Sequence, residues 1–201
     1  MLAVPTRAEL RSRPLTTARL MLAPIETKDA HDLWYAVEGS RTELERWLPW
    51  VPFTVDPEAS FRYADASAQD WDAGRACRLA VRDRETQRFL GVVSLESMAH
   101  IHQNMDLGYW LRTDSVGAGY MTEAATETLR FCFRQLCAHR VRVAAATDNH
   151  PSQAVIRRLG FTFEGVARQA ERVSGRWLDH AIFGMLVTDP RAVSIASGGA
   201  R

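Results

Sequence analysis

Apolar and polar positions change period several times along the chain, and each change marks an element. Arg19 to Ile25 alternates as a strand does, and Thr27 caps a helix running through Leu33, Trp34 and Val37 to Gly39. Trp47 to Phe53 holds three aromatic residues and two prolines and reads as an irregular apolar loop. Asp56 before Pro57 opens a second helix, since proline at the first helical position loses no hydrogen bond; Phe61, Ala64, Ala68 and Trp71 mark its face, which ends near Gly74. The period then shortens. Cys77 to Val81, Phe89 to Leu95 and Met105 to Leu111 read as strands of an antiparallel meander, the first two joined by a polar turn around Arg84 to Gln87. From Gly119 to Ala138 the helical period returns, with Met121, Ala125, Leu129, Cys132 and Leu136 on one stripe. Val141 to Thr147 is a strand, Pro151 to Leu159 a short helix stopped by Gly160, and Phe161 to Val187 two strands about the Ser174-Gly175 turn. This succession predicts an α+β domain with a mixed sheet rather than regular βα alternation.

A length of 201 residues suits one domain. Residues 1–14 are Arg-rich and aperiodic and 191–201 end in small residues, so both read as tails around a domain at 15–190, with no linker or repeat inside it. Lys plus Arg (25) nearly equals Asp plus Glu (24), so whole-molecule attraction to nucleic acid or anionic lipid is not expected, and any bound anion must be held by local geometry. The N-terminal MLAVPTRAELRSR has no apolar core of a signal peptide, and no apolar run reaches the length of a membrane span. Cys77, Cys132 and Cys137 are odd in number and lie in apolar stretches, which suits buried thiols in a reducing compartment. A soluble cytoplasmic protein is expected.

Two stretches carry chemistry. In LGYWLRTDSVGAGYMTEAA, Leu107 to Ala125, a strand runs through a short loop with Gly117 and Gly119 into a helix. The glycines allow a tight turn, so several N–H groups point inward ahead of the helix N-terminus, which suits phosphate oxygens. A Gly-x-Gly alone is equally a plain turn before a core helix. There is no Gly-Lys-Ser/Thr ending of a Walker A loop, and the third glycine of the dinucleotide fingerprint is missing. In TDNHPSQAVIRRLGF, Thr147 to Phe161, Asn149 closes a strand and Ser152 sits in the first turn of a helix. Taken singly, capping and turn formation account for both.

Together the motifs resemble the GNAT family of acyl-CoA-dependent N-acyltransferases, and within it the RimJ/RimL-like branch of ribosomal-protein N-terminal acetyltransferases. They stand here as Gly108-Tyr109-Trp110-Leu111, Gly117 to Ala124, Asp148-Asn149 with Ser152, Gly160-Phe161 with Glu164-Gly165, Gly175 with Asp179, and Trp47-Leu48-Pro49-Trp50. The resemblance covers Pro14 to Pro190. It departs from the general family loop at Val116, where Arg or Gln is usual, and at Met121, where a small residue is usual.

The resemblance implies a GNAT fold with a mixed, mostly antiparallel sheet flanked by helices, and acetyl-CoA bound in a gap between Leu107 to Leu111 and Val141 to Thr147. It implies that the main chain of Val116, Gly117, Ala118, Gly119, Tyr120 and Met121 holds the diphosphate, that Leu111, Thr113 and Asn149 meet the pantetheine arm, and that Arg158 or Arg157 meets a CoA phosphate. Two exposed arginines on a helix are first a solvated face. N-acylation needs a neutral amine, a route for its proton and a donor to the departing thiolate. On motif position Asp106 and, second, Glu96 are the candidate bases through water. Many family members use a tyrosine near this helix as acid, but Ala154 to Arg158 holds none; the resemblance to the RimL-like branch, where the serine of D-N-x-x-S fills the role, implies that Ser152 bonds the thiolate as charge develops. Trp47, Trp50 and Tyr109 are candidates for the acceptor pocket. His100 and His102 have no partner at ligand spacing and read as polar loop residues, so no metal is expected; Cys132 and Cys137 read as core packing.

The function implied is transfer of acetyl to a primary amine, with a protein N-terminal amine leading, a small-molecule amine such as an antibiotic or polyamine second, and a non-catalytic acyl-CoA sensor as the rival of another class. The resemblance also implies a homodimer.

Overall fold

The computed structural model describes residues 1–198. Eight strands, β1 (Leu15–Thr16), β2 (Leu20–Pro24), β3 (Cys77–Asp83), β4 (Phe89–Ala99), β5 (Asn104–Leu111), β6 (Arg140–Ala146), β7 (Thr162–Val173) and β8 (Arg176–Leu186), form one sheet in the order β1-β2-β3-β4-β5-β6-β8-β7. Neighbours are antiparallel except β5 and β6. Those two run parallel because the chain returns between them through α5 (Tyr120–Arg134), as a parallel pair requires.

Alternation along the strands sends every second residue to one layer. Met105 and Leu107 of β5, with Val141 and Val143 of β6, meet Met121, Ala125, Leu129 and Cys132 of α5 in the main core. The opposite face packs Ala80, Phe89 and Val92 against Leu33 and Ala36 of α2 (Ala30–Glu38) and Ala64 of α4 (Pro57–Asp72). Asp56 caps α4 as its sequence suggests, its Oδ1 accepting the Ala59 N–H at 2.8 Å.

Three expectations are corrected. The segment 1–14 carries helix α1 (Arg7–Ser12), closed by a capping box between Thr6 and Glu9 and docked through buried Leu2 and Leu10. Likewise α7 (Pro190–Ser197) runs from the last residue of the expected domain into the expected 191–201 tail, and its Ala192 and Ile195 are buried; residues 199–201 lie outside the described structure. Each helix is too short to show a period. The third is Cys137: α5 ends at Arg134, the Gln135 and Leu136 N–H groups both bond Phe131 O, and Cys137 lies exposed in the turn, whereas Cys77 and Cys132 are buried. The expected Trp47–Phe53 loop also includes a 3₁₀ turn at Val51–Phe53 and follows a short helix, α3 (Arg41–Leu44).

Leu129 is fully buried where α5 crosses the sheet. Leu129→Ala is expected to lower unfolding stability by about 2–5 kcal/mol, read from urea midpoints; a loss under about 1 kcal/mol would contradict this placement of the core.

Candidate active site

The central strands part. β5 and β6 pair from Asn104 with Arg140 to Leu107 with Val143 and no further, while β5 continues along β4 to Leu111 and β6 along β8 to Ala146. Gly108–Leu111 and Ala144–Ala146 therefore face each other across a gap with no ladder between them. Helix α6 (His150–Leu159) starts at its mouth, tied to β6 by Gln153, whose Nε2 donates to Ala146 O (3.1 Å) and Thr147 O (2.8 Å).

Beyond Leu111 the chain makes a 3₁₀ turn at Thr113–Ser115 and enters α5. Gly117 and Gly119 have φ of +84° and +82°, the left-handed region that side chains disfavour, and a Cβ on Gly117 would meet nothing within 4 Å. Among the described residues, no acceptor is bonded by the N–H groups of Val116 to Thr122, and α5 has no side-chain cap. These donors, at the positive end of a 15-residue helix, form a ready anion cradle. Val116 is 61% exposed, whereas the Met121 side chain is in the core, so Met121 offers only its backbone. Arg158 reaches this turn, its Nη1 3.1 Å from Thr122 Oγ1, while Arg157 turns to Gln153 Oε1 at 2.9 Å. The Thr113 N–H is already bonded to Ser40 Oγ at 3.0 Å.

Arg19, which sequence reading passed over, braces the loop. It donates to Ala118 O (3.0 Å) and Glu123 Oε2 (2.7 Å) and lies 4.6 Å above the Tyr120 ring. Asp114 takes the guanidinium groups of Arg112 and Arg88, which hold its carboxyl well below the usual carboxylate range.

On the far side of the gap, Asn149 Oδ1 accepts the Ser152 N–H at 3.2 Å, which is the capping role. The Ser152 hydroxyl lies 3.0 Å from the phenol of Tyr109, which also stands 3.1 Å from Ser152 O. Burial pushes the Tyr109 phenol up to about 12, so it keeps its proton at neutral pH.

A cavity of about 780 Å³ lies between α2, α4, the Leu48–Thr54 segment and strands β4 and β5, and reaches Gly108 and Tyr109 at the gap. Trp50 is on its wall, 5.9 Å from Trp110. Trp47 is not; it packs against Ala146, Val173 and Leu178. The two expected carboxylates are cross-strand partners and separate here. Glu96 lines the cavity, but both its oxygens accept from Arg78 at 2.8 Å. Asp106 is away from the wall, held by Arg142 at 2.7 and 2.6 Å. A third carboxylate, Glu171 of β7, stands on the wall, and among the described residues its one ion-pair partner is His180 Nε2, at 3.5 Å. No sequence signal marks it, because β7 is polar on both faces around it. His100 bonds Gly74 O through Nε2 at 2.8 Å, the part of a polar loop residue.

A family model described as an acetyltransferase (GNAT) domain matches residues 19–162. The [ribosomal protein uS5]-alanine N-acetyltransferase of Escherichia coli (strain K12) is 26% identical over 177 residues, 87% of this chain and 91% of that protein. The ribosomal-protein-serine acetyltransferase of the same organism is 21% identical over 168 residues, 84% of this chain and 93% of that one. Among solved structures, the RimL ribosomal L7/L12 alpha-N-protein acetyltransferase in complex with coenzyme A has a TM-score of 0.83 at 22% identity, covering 87% of this chain and 98% of that chain. That last likeness is one of fold.

Burial opposes the phenolate at Tyr109, so its ionisation is displaced upward. Subtracting the alkaline absorbance titration of Tyr109→Phe from that of the unmodified chain is expected to leave one phenol with a midpoint near 12; a midpoint at the ordinary 10 would show the hydroxyl open to water.

Proposed function

The chain belongs to the GNAT acetyltransferase family, and from that premise we propose that it acetylates a protein N-terminal amine by direct attack of the amine on the thioester of acetyl-CoA. The observation that carries the reading is that the parted strands open onto the aromatic cavity at Gly108 and Tyr109, on the strand that leads into the cradle of free N–H groups at the start of α5. It is an acyltransferase using acetyl-CoA, which supplies an activated acetyl thioester.

The chain's residues divide the work. Main-chain N–H groups from Val116 to Met121 hold the diphosphate, with Arg158 beside them, and the open edge of β5 near Leu111 receives the pantetheine arm. The backbone cradle suits this load without the side chains absent at Val116 and Met121. Tyr109, protonated at neutral pH, donates to the Ser152 carbonyl, and the Ser152 hydroxyl, 3.0 Å from the phenol oxygen, keeps its own proton to turn toward the departing sulfur. Glu171 takes the amine proton through water, because Arg78 and Arg142 already occupy Glu96 and Asp106.

The acceptor follows from the same inventory. Two carboxylates line the cavity and one is neutralised by Arg78, so the site suits a single cationic amine beside apolar groups better than a polyamine or an aminoglycoside. Two buried free thiols support a reducing compartment, the cytoplasm. For the homodimer, support comes from exposed Phe163 and Val166 on edge strand β7 and from exposed Trp177 of β8. No helix among the described residues is long and apolar enough to cross a membrane.

Thiol release from acetyl-CoA, measured with N-terminal peptides, a polyamine and an aminoglycoside, is expected with the peptides alone. Release with the small amines alone overturns the acceptor, and coenzyme binding without any release indicates a sensor. Ser152→Ala is expected to lower kcat about a hundredfold, the order found for loss of one preorganised donor, while calorimetric CoA affinity stays within about threefold. Equal loss of both would make Ser152 a coenzyme contact only.

A further inference from the structure

The cavity wall changes character along β4. Val92, Ser94 and Glu96 point to one face, opposite Trp110, Gly108 and Asp106 of β5, so four residues and about 13 Å separate its two ends. At the Val92 end stand Leu33, Val37 and Trp50, with Phe53 at the rim, 79% exposed. At the Glu96 end stand Tyr63 and Arg78, the guanidinium 5.7 Å from the Tyr63 ring. Between them is Gly108, where the strands part. A Cβ there would lie 2.9 Å from Ser94 Oγ, so the missing side chain keeps the middle of the wall open to the gap.

An amine that attacks from the gap therefore has an apolar lobe on one side and a hydrogen-bonding lobe on the other. A peptide α-amine has this shape, since its Cα carries a side chain and a carbonyl in different directions. We propose that the acceptor's first residue bears a large apolar side chain, of leucine, methionine or phenylalanine size, seated in the Trp50–Trp110 lobe while its first peptide group meets the Tyr63–Arg78 lobe. The inference rests on the N-terminal-amine reading and goes beyond it by naming the residue.

Size and charge support it. An alanine or serine side chain leaves the apolar lobe wet and its aromatic rings uncovered. A lysine side chain brings a second cation to a lobe with no carboxylate, at the cost of desolvating it. In the polar lobe, the Tyr63 phenol on the cavity wall is protonated at neutral pH and is a donor for a peptide carbonyl.

The test uses the full chain, saturating acetyl-CoA and peptides that differ only in the first residue: Phe, Leu, Met, Ala, Ser or Lys. The expected kcat/KM is at least about tenfold higher for Phe, Leu or Met than for Ala or Ser, with Lys lowest. Turnover without that order overturns this inference alone, and no turnover with any peptide overturns the N-terminal-amine reading and this inference with it. Trp50→Ala and Phe53→Ser are each expected to lower the Phe-over-Ala ratio at least about fivefold, mainly through KM. Phe53 is exposed enough that its variant folds if Trp50→Ala does not, and an unchanged ratio in the folded variants overturns the assignment of the lobe.

Discussion

Backbone N–H and C=O groups inside a protein need partners, and this sheet leaves two facing rows of them without one at its centre. β5 and β6 share four cross-strand pairs and then separate, although each remains bonded to its outer neighbour. The strain of an open seam is tolerated only where something else completes the bonding. The surroundings hold it open: Gln153 ties α6 to the end of β6, and Tyr109 and Ser152 bridge its mouth. The anion cradle, the coenzyme arm and the acceptor cavity are all defined by their position relative to this seam.

Charge is handled locally. The chain has nearly equal numbers of cations and anions, and the arginines nearest the site are already engaged: Arg78 by Glu96 and Asp70, Arg142 by Asp106, Arg112 by Asp114. These partly buried pairs decide which side chains stay free for chemistry. In the proposed reading the diphosphate is left to main-chain donors, and the proton of the amine to a carboxylate that no arginine among the described residues holds. Val116 and Met121 illustrate the same division, since a loop that binds through its backbone tolerates an apolar side chain facing water and another facing the core.

The sequence made the meander, the α5 stripe, the Asp56 cap and the Gly160 stop readable, because each rests on local spacing or local conformation. The short helices α1 and α7 escaped notice, since one or two buried residues in a single turn or two make no period. Ser152 and the loop amides could be singled out as candidates because their motifs sit at element ends. Asp106 and Glu96 occupied the expected strands, yet only the register shows that an arginine of the adjacent strand engages each of them. Arg19 and Glu171 act across more than 90 residues or from an outer strand, and nothing in their neighbourhoods signals that. Trp47 and Trp50 are three residues apart and part company because a turn of the chain sends one to the Val173 cluster and the other to the cavity.

The seam is tested most directly by amide hydrogen exchange of the full chain with and without acetyl-CoA. Exchange at the gap-facing amides of Gly108 to Leu111 and at Val116 to Thr122 should slow together on binding, since these donors have no partner among the described residues. Protection confined to other segments, or binding that leaves both stretches unchanged, would mean that the coenzyme lies elsewhere and that the parted strands are not its site.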